Sequence, residues 1–320
     1  MEVLRQLDSP ISIPRPVLML GNFDGVHLGH QALIGSAVAD ARESGGRAVV
    51  FTFEPHPLKL LAPDRAPQLI LTEADKLALL DFYGAKTVIV QKFDMEFAHI
   101  EAEKFVDEYL VRRIGVQKVW VGKDLRFGRA RKGRVEDLIR WGQQRGFAVG
   151  VVGPIEIDGH RVSSSRVRAL IERGQMRQAA QYLGRFHFLS GRVVPGHGRG
   201  RDMGFPTANI EPQTEAVPLD GIYATILEVG DRRWQSATSI GINPTFGAGP
   251  RTIESYVFDF DGDLYGRAVK LYFVERIREE KTFPTPDSLA QQIEQDVANV
   301  REILRATNFA AMPPNRGPAA

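Results

Sequence analysis

His27 and His30 close the stretch Leu20-Gly-Asn-Phe-Asp-Gly-Val-His-Leu-Gly-His30. Their spacing of three brings both imidazoles to one side once a helix begins. Gly21, Gly25 and Gly29 let the backbone approach a ligand closely. The first N–H groups of a helix have no partner inside it, and its dipole favours an anion there. The chemistry this suits is phosphate binding. A second anion-seeking segment is Val162-Ser-Ser-Ser-Arg-Val-Arg168. A serine among 163–165 caps the helix that follows. Arg166 and Arg168 then lie near that helix's start, where their charge opposes the dipole, which points to an anionic ligand.

Two further constellations lie in the second half. Gly196-His-Gly-Arg-Gly-Arg-Asp-Met-Gly-Phe-Pro-Thr-Ala-Asn209 contains no Walker lysine, so it is not a P-loop. Its glycine-rich arm, including Gly198 and Gly200, suggests a flap over phosphates. Thr207 and Asn209 offer a hydroxyl and an amide oxygen, hard ligands suited to Mg²⁺. Downstream, strand alternation in Thr252-Ile-Glu-Ser-Tyr-Val-Phe258 sets Ile253, Ser255 and Val257 on one face and Glu254, Tyr256 and Phe258 on the other. Glu254 is either a working carboxylate or a solvated residue on the outer face of a strand.

The elements that must position these groups follow from hydrophobic periodicity. Strands are expected at Val17–Leu20, Ala48–Phe53, Thr87–Gln91, Lys118–Val121 and Ala148–Val152, and helices at Gln31–Glu43, Glu73–Phe82, Ala102–Arg113 and Val135–Arg145. Repeated β-α-β units imply a parallel sheet covered on both faces. Ligands of such sheets bind at the carboxyl ends of the strands. There the His27/His30 motif, Phe53-Glu-Pro-His-Pro57 and Gly122-Lys-Asp-Leu-Arg-Phe-Gly128 converge. A helical pattern over Val167–Tyr182 ends at Gly184, where the period changes. Strands are then expected at Phe186–Val194, Ile222–Val229, Trp234–Ile240, Ile253–Phe260 and Ala268–Val274, with hairpin turns at Gly230-Asp231 and Asp261-Gly262. Close strands with tight turns suggest an antiparallel barrel or sandwich. A last helix opens with Thr285 as its cap and Pro286 in its first turn, and Leu289, Ile293, Val297, Val300 and Leu304 form its apolar stripe. The expected division is 1–184, 185–308 and a disordered tail, 309–320.

The chain of 320 residues has room for two domains, and 43% apolar with 25% charged residues is the composition of a soluble globular protein. With no cysteine, disulfides and thiolate metal sites are excluded, and a reducing cytoplasm is expected. No signal peptide and no apolar run of about 18 residues is evident, so no membrane partner is expected. A net charge of +2 gives no reason to expect a nucleic-acid partner. The basic run Arg126, Arg129, Arg131, Lys132 and Arg134 reads as a solvated loop; an RNA-binding patch is the alternative, without an aromatic platform. A zinc pair at His27/His30 lacks an evident third ligand.

The motif string closely resembles the bifunctional riboflavin kinase/FMN adenylyltransferases, the bacterial FAD synthetases. The resemblance rests on Gly21–His30, the loop at 122–128, Ser164-Ser165-Arg166, Pro206-Thr-Ala-Asn209 and Glu254, and spans about residues 15–306. It implies a Rossmann-like nucleotidyltransferase domain with a parallel sheet, followed by an antiparallel β-barrel kinase domain with a terminal helix. It implies phosphorylation of riboflavin to FMN by the second domain and adenylation of FMN to FAD by the first, each with ATP and Mg²⁺. Flavins are then substrate and product. In the first domain Gly21, Phe23, His27, His30, Asp124, Ser164, Ser165 and Arg166 would bind ATP, with His27 and His30 catalytic, and Pro55 and His56 would lie at the flavin. Leu125 departs from the family's phenylalanine in the 122–128 loop. In the second, Gly198, Gly200, Thr207 and Asn209 would bind ATP, Thr207 and Asn209 the metal, and Glu254 would be the catalytic base.

Overall fold

A computed structural model describes residues 1–196, 204–242 and 251–309. Contacts divide the chain into two units, 1–67 with 76–162 and 68–75 with 163–320.

The first unit is built on apolar runs. Pro16–Leu20 (β2) is buried at every position, as a strand covered on both faces must be. It lies in a six-stranded parallel sheet with β1 (Glu2–Arg5), β3 (Arg47–Glu54), β4 (Thr87–Lys92), β5 (Lys118–Gly122) and β6 (Ala148–Val152), in the order β1-β4-β3-β2-β5-β6. The expected strands are all present. β1 was not foreseen. It is a four-residue edge strand with a mostly exposed pattern, and only its pairing with β4 from Glu2↔Thr87 to Arg5↔Val90 defines it. Because β2 pairs with both β3 and β5, the strand order reverses beside it, which is where open α/β sheets bind ligands.

Its helices include α1 (Leu28–Glu43), α2 (Pro57–Leu61), α3 (Glu73–Phe82), α4 (Ala102–Phe105) and α5 (Val135–Arg145), with a further short turn of helix at Met95–Ala98. The helix expected over 102–113 is α-helical only in α4 and continues as a π-helix, Val106–Ile114. Over so short a stretch the apolar spacing does not separate the two pitches. Tyr109 in this segment stacks on Phe105, with ring centroids 5.5 Å apart, in the main core cluster.

In the second unit, the pattern at 167–182 resolves into α6 (Ser164–Glu172) and α7 (Met176–Leu183). Between them Gly174 takes φ +68°, a left-handed conformation that ends the first helix. Six strands then close into an antiparallel barrel: β7 (His187–Val194), β8 (Thr207–Pro212), β9 (Gly221–Val229), β10 (Arg232–Gly241), β11 (Thr252–Val257) and β12 (Ala268–Arg278). Their order is β7-β8-β11-β10-β9-β12. Two expectations change. The segment carrying Thr207 and Asn209 is itself a barrel strand. Asp261-Gly262 is not a hairpin turn, because β11 ends at Val257 and its neighbours are β8 and β10 rather than β12. Gly230-Asp231 does join paired neighbours, β9 and β10.

The barrel's fully buried face carries a hydroxyl network. Thr225 Oγ1 lies 2.8 Å from Ser236 Oγ and 2.7 Å from Thr238 Oγ1, and Thr238 donates to Ser255 Oγ at 3.0 Å. Mutual bonding removes the penalty of burying these groups. The last helix, α8 (Pro286–Arg305), starts at the expected Thr285 cap, and Val300 and Leu304 of its stripe are fully buried. Arg278 and Asp296 tie it to β12 through a half-buried, two-pronged ion pair. Residues 68–75 are stitched into the same unit. Leu69 N donates to Glu215 at 2.9 Å, Ala216 N donates to Leu69 O at 3.1 Å, and Asp75 pairs with Lys270 at 3.1 Å. Ile70 and Leu71 are buried there.

Candidate functional site

The β2–α1 loop places two imidazoles at a helix start. His27 is the N-cap of α1, and its Nδ1 accepts the N–H of His30 at 3.3 Å. The two rings stack with centroids 3.7 Å apart and planes 15° apart. Gly29 makes this possible, since a Cβ there would stand 3.2 Å from the His27 ring. The bond at Nδ1 also fixes the tautomer: in the neutral ring, Nε2 carries the proton and is a donor. Phe23 and Val26 hold the loop with φ of +53° and +40°. Both are buried apolar residues in a conformation they rarely adopt, and the surrounding packing must hold them there. Phe23 packs at 5.2 Å from the His30 ring.

The Pro55/His56 loop, at the end of β3, is tied to this one. Thr52 Oγ1 donates to Asn22 O at 3.2 Å, and the Asn22 carboxamide lies 3.3 Å from His56 Nε2. His56 is itself a helix cap, its Nδ1 accepting from Leu58 N at 3.3 Å. Asn22 was not foreseen as a site residue. It belongs to the motif, but its partner is 34 positions away, and no local pattern encodes that pairing. At the end of β5, Asp124 is exposed and ion-paired with Arg161. Leu125, which departs from the resembled pattern, is half-buried against the core cluster, and its N–H closes the turn to Gly122 O at 3.0 Å. Arg126, Arg129, Arg131, Lys132 and Arg134 are all exposed.

In the second unit, Ser163 is the serine that caps α6, accepting from Arg166 N at 3.2 Å. Ser164 and Ser165 therefore occupy the first helical positions with Arg166 after them. Arg166 Nε is buried and has no hydrogen-bond partner among the described residues. A buried guanidinium N–H without an acceptor is costly, and an anionic ligand removes that cost.

The barrel brings Thr207, Asn209 and Glu254 together. Asn209 stands opposite Glu254 in the β8–β11 register, and Thr207 opposite Tyr256. Glu254 Oε2 accepts from Thr207 Oγ1 at 3.4 Å and Oε1 from Thr252 Oγ1 at 3.2 Å. Ala208, Ile210, Ile253 and Ser255 alternate with these residues and are buried. Glu254 thus faces out of the barrel, as one of the two sequence readings had it, but beside the two proposed metal ligands rather than alone. An aromatic row flanks it. Phe205 lies edge-on to Tyr256, with ring centroids 5.4 Å apart, and Tyr256 packs on Phe258 at 5.5 Å. Gly198 and Gly200 lie outside the described residues. No cluster of three or more His, Asp or Glu that could hold a metal occurs among the described residues, so the zinc reading of His27 and His30 finds no third ligand there.

Comparison with known proteins gives a consistent result. Residues 11–166 match the FAD synthetase family and residues 183–304 the riboflavin kinase family. A bifunctional riboflavin kinase/FMN adenylyltransferase of Pseudomonas fluorescens is 36% identical over 288 residues, 90% of this chain and 92% of that protein. The enzyme of the same name from Escherichia coli K12 is 34% identical over 313 residues, 97% of this chain and all of its own length. A crystal structure described as a macrolide-efflux protein from Streptococcus pneumoniae superposes with a TM-score of 0.85 at 30% identity, covering 96% of this chain and 100% of that one.

Proposed function

The chain belongs to the family of bifunctional riboflavin kinase/FMN adenylyltransferases, and on that premise we propose which residues carry each half of its work. The C-terminal part phosphorylates riboflavin to FMN, and the N-terminal part adenylates FMN to FAD.

For adenylyl transfer, the reacting groups need positioning and charge stabilisation more than covalent help. His27 and His30 hold phosphates of ATP, with His27 presenting a proton at Nε2. Ser164, Ser165 and Arg166 hold the β/γ end, and Gly21, Phe23 and Asp124 complete the ATP site. Pro55 and His56 border the flavin. The observation that carries this reading is the buried Nε of Arg166, which has no hydrogen-bond partner among the described residues.

For the kinase, Glu254 is the base that takes the proton of the ribityl hydroxyl, Thr207 and Asn209 hold Mg²⁺ with ATP, and Gly198 and Gly200 contribute to binding the ATP. The donor set fits: Thr207 and Asn209 offer neutral oxygens on one strand face, with the Glu254 carboxylate beside them on the neighbouring strand, and hard oxygens are what Mg²⁺ prefers. When bound, the ion offsets the negative charge of the phosphates. We place both reactions in the cytoplasm. The absence of cysteine supports this, and no helix among the described residues is long and apolar enough to cross a membrane.

Incubation with riboflavin and Mg-ATP, followed by chromatographic separation, tests the reading. FMN and then FAD are expected, and FMN supplied alone should still give FAD. Failure to form either product would overturn it.

A further inference from the structure

The geometry points to Asn22 as a further substrate-binding residue of the adenylyltransferase site, its side-chain N–H₂ donating to the acceptor phosphate of FMN and its orientation set by His56. The inference rests on the reading that the β2–α1 loop holds phosphates.

The carboxamide of Asn22 lies 3.3 Å from His56 Nε2. His56 Nδ1 accepts the N–H of Leu58, which opens α2. That N–H belongs to a helix backbone and cannot be turned round. A neutral imidazole that accepts at Nδ1 carries its proton on Nε2. Nε2 is then a donor, and the atom of Asn22 facing it must be the acceptor, Oδ1. A half-turn of the carboxamide exchanges its two ends, so hydrogen-bond partners decide its orientation. Nδ2 is left at the other end, with no partner among the described residues beyond the His56 contact.

Position then narrows the ligand. Asn22 is exposed at the carboxyl end of β2, the ligand-binding edge of the sheet. The Thr52 bond to its backbone carbonyl and the His56 contact tie it to the end of β3. His27 and His30 lie at the far end of the same loop in sequence, at the start of α1. On the proposed reading that Pro55 and His56 border the flavin, an amide donor tethered to their loop belongs with the flavin-side phosphate, and the two imidazoles serve the nucleotide. His56 acts here through Asn22, as a positioning residue.

Three variants test this, read by KM for FMN, KM for ATP and kcat of the adenylation half-reaction. Asn22→Ala loses both the tie and the donor, and kcat/KM for FMN should fall about 10–100-fold, the range for one hydrogen bond to a charged group. KM for ATP should stay within about two-fold of the parent, a margin well below the effect of one such bond. Asn22→Asp keeps the acceptor for His56 but replaces the donor with a negative oxygen, so it should be worse than Asn22→Ala. His56→Asn still caps α2 but no longer fixes the carboxamide. Its loss should be smaller in the Asn22→Ala background than in the parent, because the part that acts through Asn22 is already gone.

If Asn22 merely latched two loops, Asn22→Asp would outperform Asn22→Ala, and that order would overturn the inference. A rise in KM for ATP with KM for FMN unchanged would also overturn it. His27→Ala separates the two levels of the argument. If it abolishes adenylation while Asn22→Ala does not impair it, the inference fails and the phosphate reading of the loop stands. If His27→Ala is fully active, that reading fails and takes the inference with it.

Discussion

Glu254 stands directly opposite Asn209 across the β8–β11 ladder, and its carboxylate accepts a hydrogen bond from Thr207 at 3.4 Å. Three polar side chains thus share the outer face of two adjacent strands whose inner residues, Ala208, Ile210, Ile253 and Ser255, are buried. The period-two alternation of a strand means that a slip of one residue would reverse this arrangement. The packing that fixes the barrel's register therefore also fixes the proposed base beside the proposed metal ligands.

Glu254→Gln follows from that arrangement. Glutamine keeps the size and an acceptor oxygen but cannot take a proton. Kinase kcat should fall by about 10²–10⁴, the usual range for losing a general base, with KM for riboflavin and ATP changed little. Adenylation of supplied FMN should be nearly unchanged. Steady-state assays of both half-reactions on one preparation decide the matter, and kinase turnover within a few-fold of the parent would remove Glu254 from the mechanism.

Replacing His27 and His30 together by alanine should stop FAD formation and leave riboflavin converted to FMN. The loss combines two donors with the cap of α1, itself worth about 1 kcal/mol. His27→Asn alone separates these, since asparagine caps well but presents no group where Nε2 stood. It should retain the melting temperature and lose adenylation.

His187 supplies a pH-dependent stability term. It is fully buried against Phe273, its Nε2 bonds Ala216 O at 3.1 Å, and burial pushes its pKa down from 6.5 to about 3. A depressed base binds its proton more readily when unfolded. Its contribution is therefore complete above pH 6.5 and is lost as pH falls from there toward about 3. By pH 5 the loss is about 2 kcal/mol, or roughly 5 °C in melting temperature. His187→Gln keeps a donor for Ala216 O and does not titrate, so its melting temperature should change less between pH 7 and pH 5. Parallel slopes for parent and variant would exclude His187 as the cause.

A fragment Met1–Gly184 keeps all six strands of the parallel sheet. It should fold and adenylate FMN while leaving riboflavin untouched. It should also melt at a lower temperature than the full chain, because 68–75 and 163–184 group with the second unit and the ties of 68–75 to Glu215, Ala216 and Lys270 are lost. A calorimetric scan with assays of both half-reactions checks this. Riboflavin phosphorylation by the fragment would refute the division of labour.

Much of this was legible in the residues. Buried parallel strands announce themselves as apolar runs such as Val17–Leu20, and the caps at Ser163 and Thr285 fall where short polar side chains precede a helical period. What escaped depends on partners distant in sequence. β1 is a strand only because β4 lies beside it, and Thr207–Pro212 is a strand only through its pairing with β7 and β11. Asp261-Gly262 has the residues of a hairpin turn, yet the barrel's order sends the chain elsewhere. The Asn22–His56 contact spans two loops, and no periodicity carries it.

The stitching of residues 68–75 into the second unit has a consequence for synthesis. This segment is made before the residues that hold it, Glu215, Ala216 and Lys270. At translation rates of roughly 5–20 residues per second, about 10–40 s separate the making of Asp75 from that of Lys270. For that interval the segment 68–75, with the apolar Ile70 and Leu71 in it, is without the partners at Glu215, Ala216 and Lys270 that hold it. Slow codons between 75 and 270 would lengthen that interval, and a chaperone that binds apolar segments would find its target there.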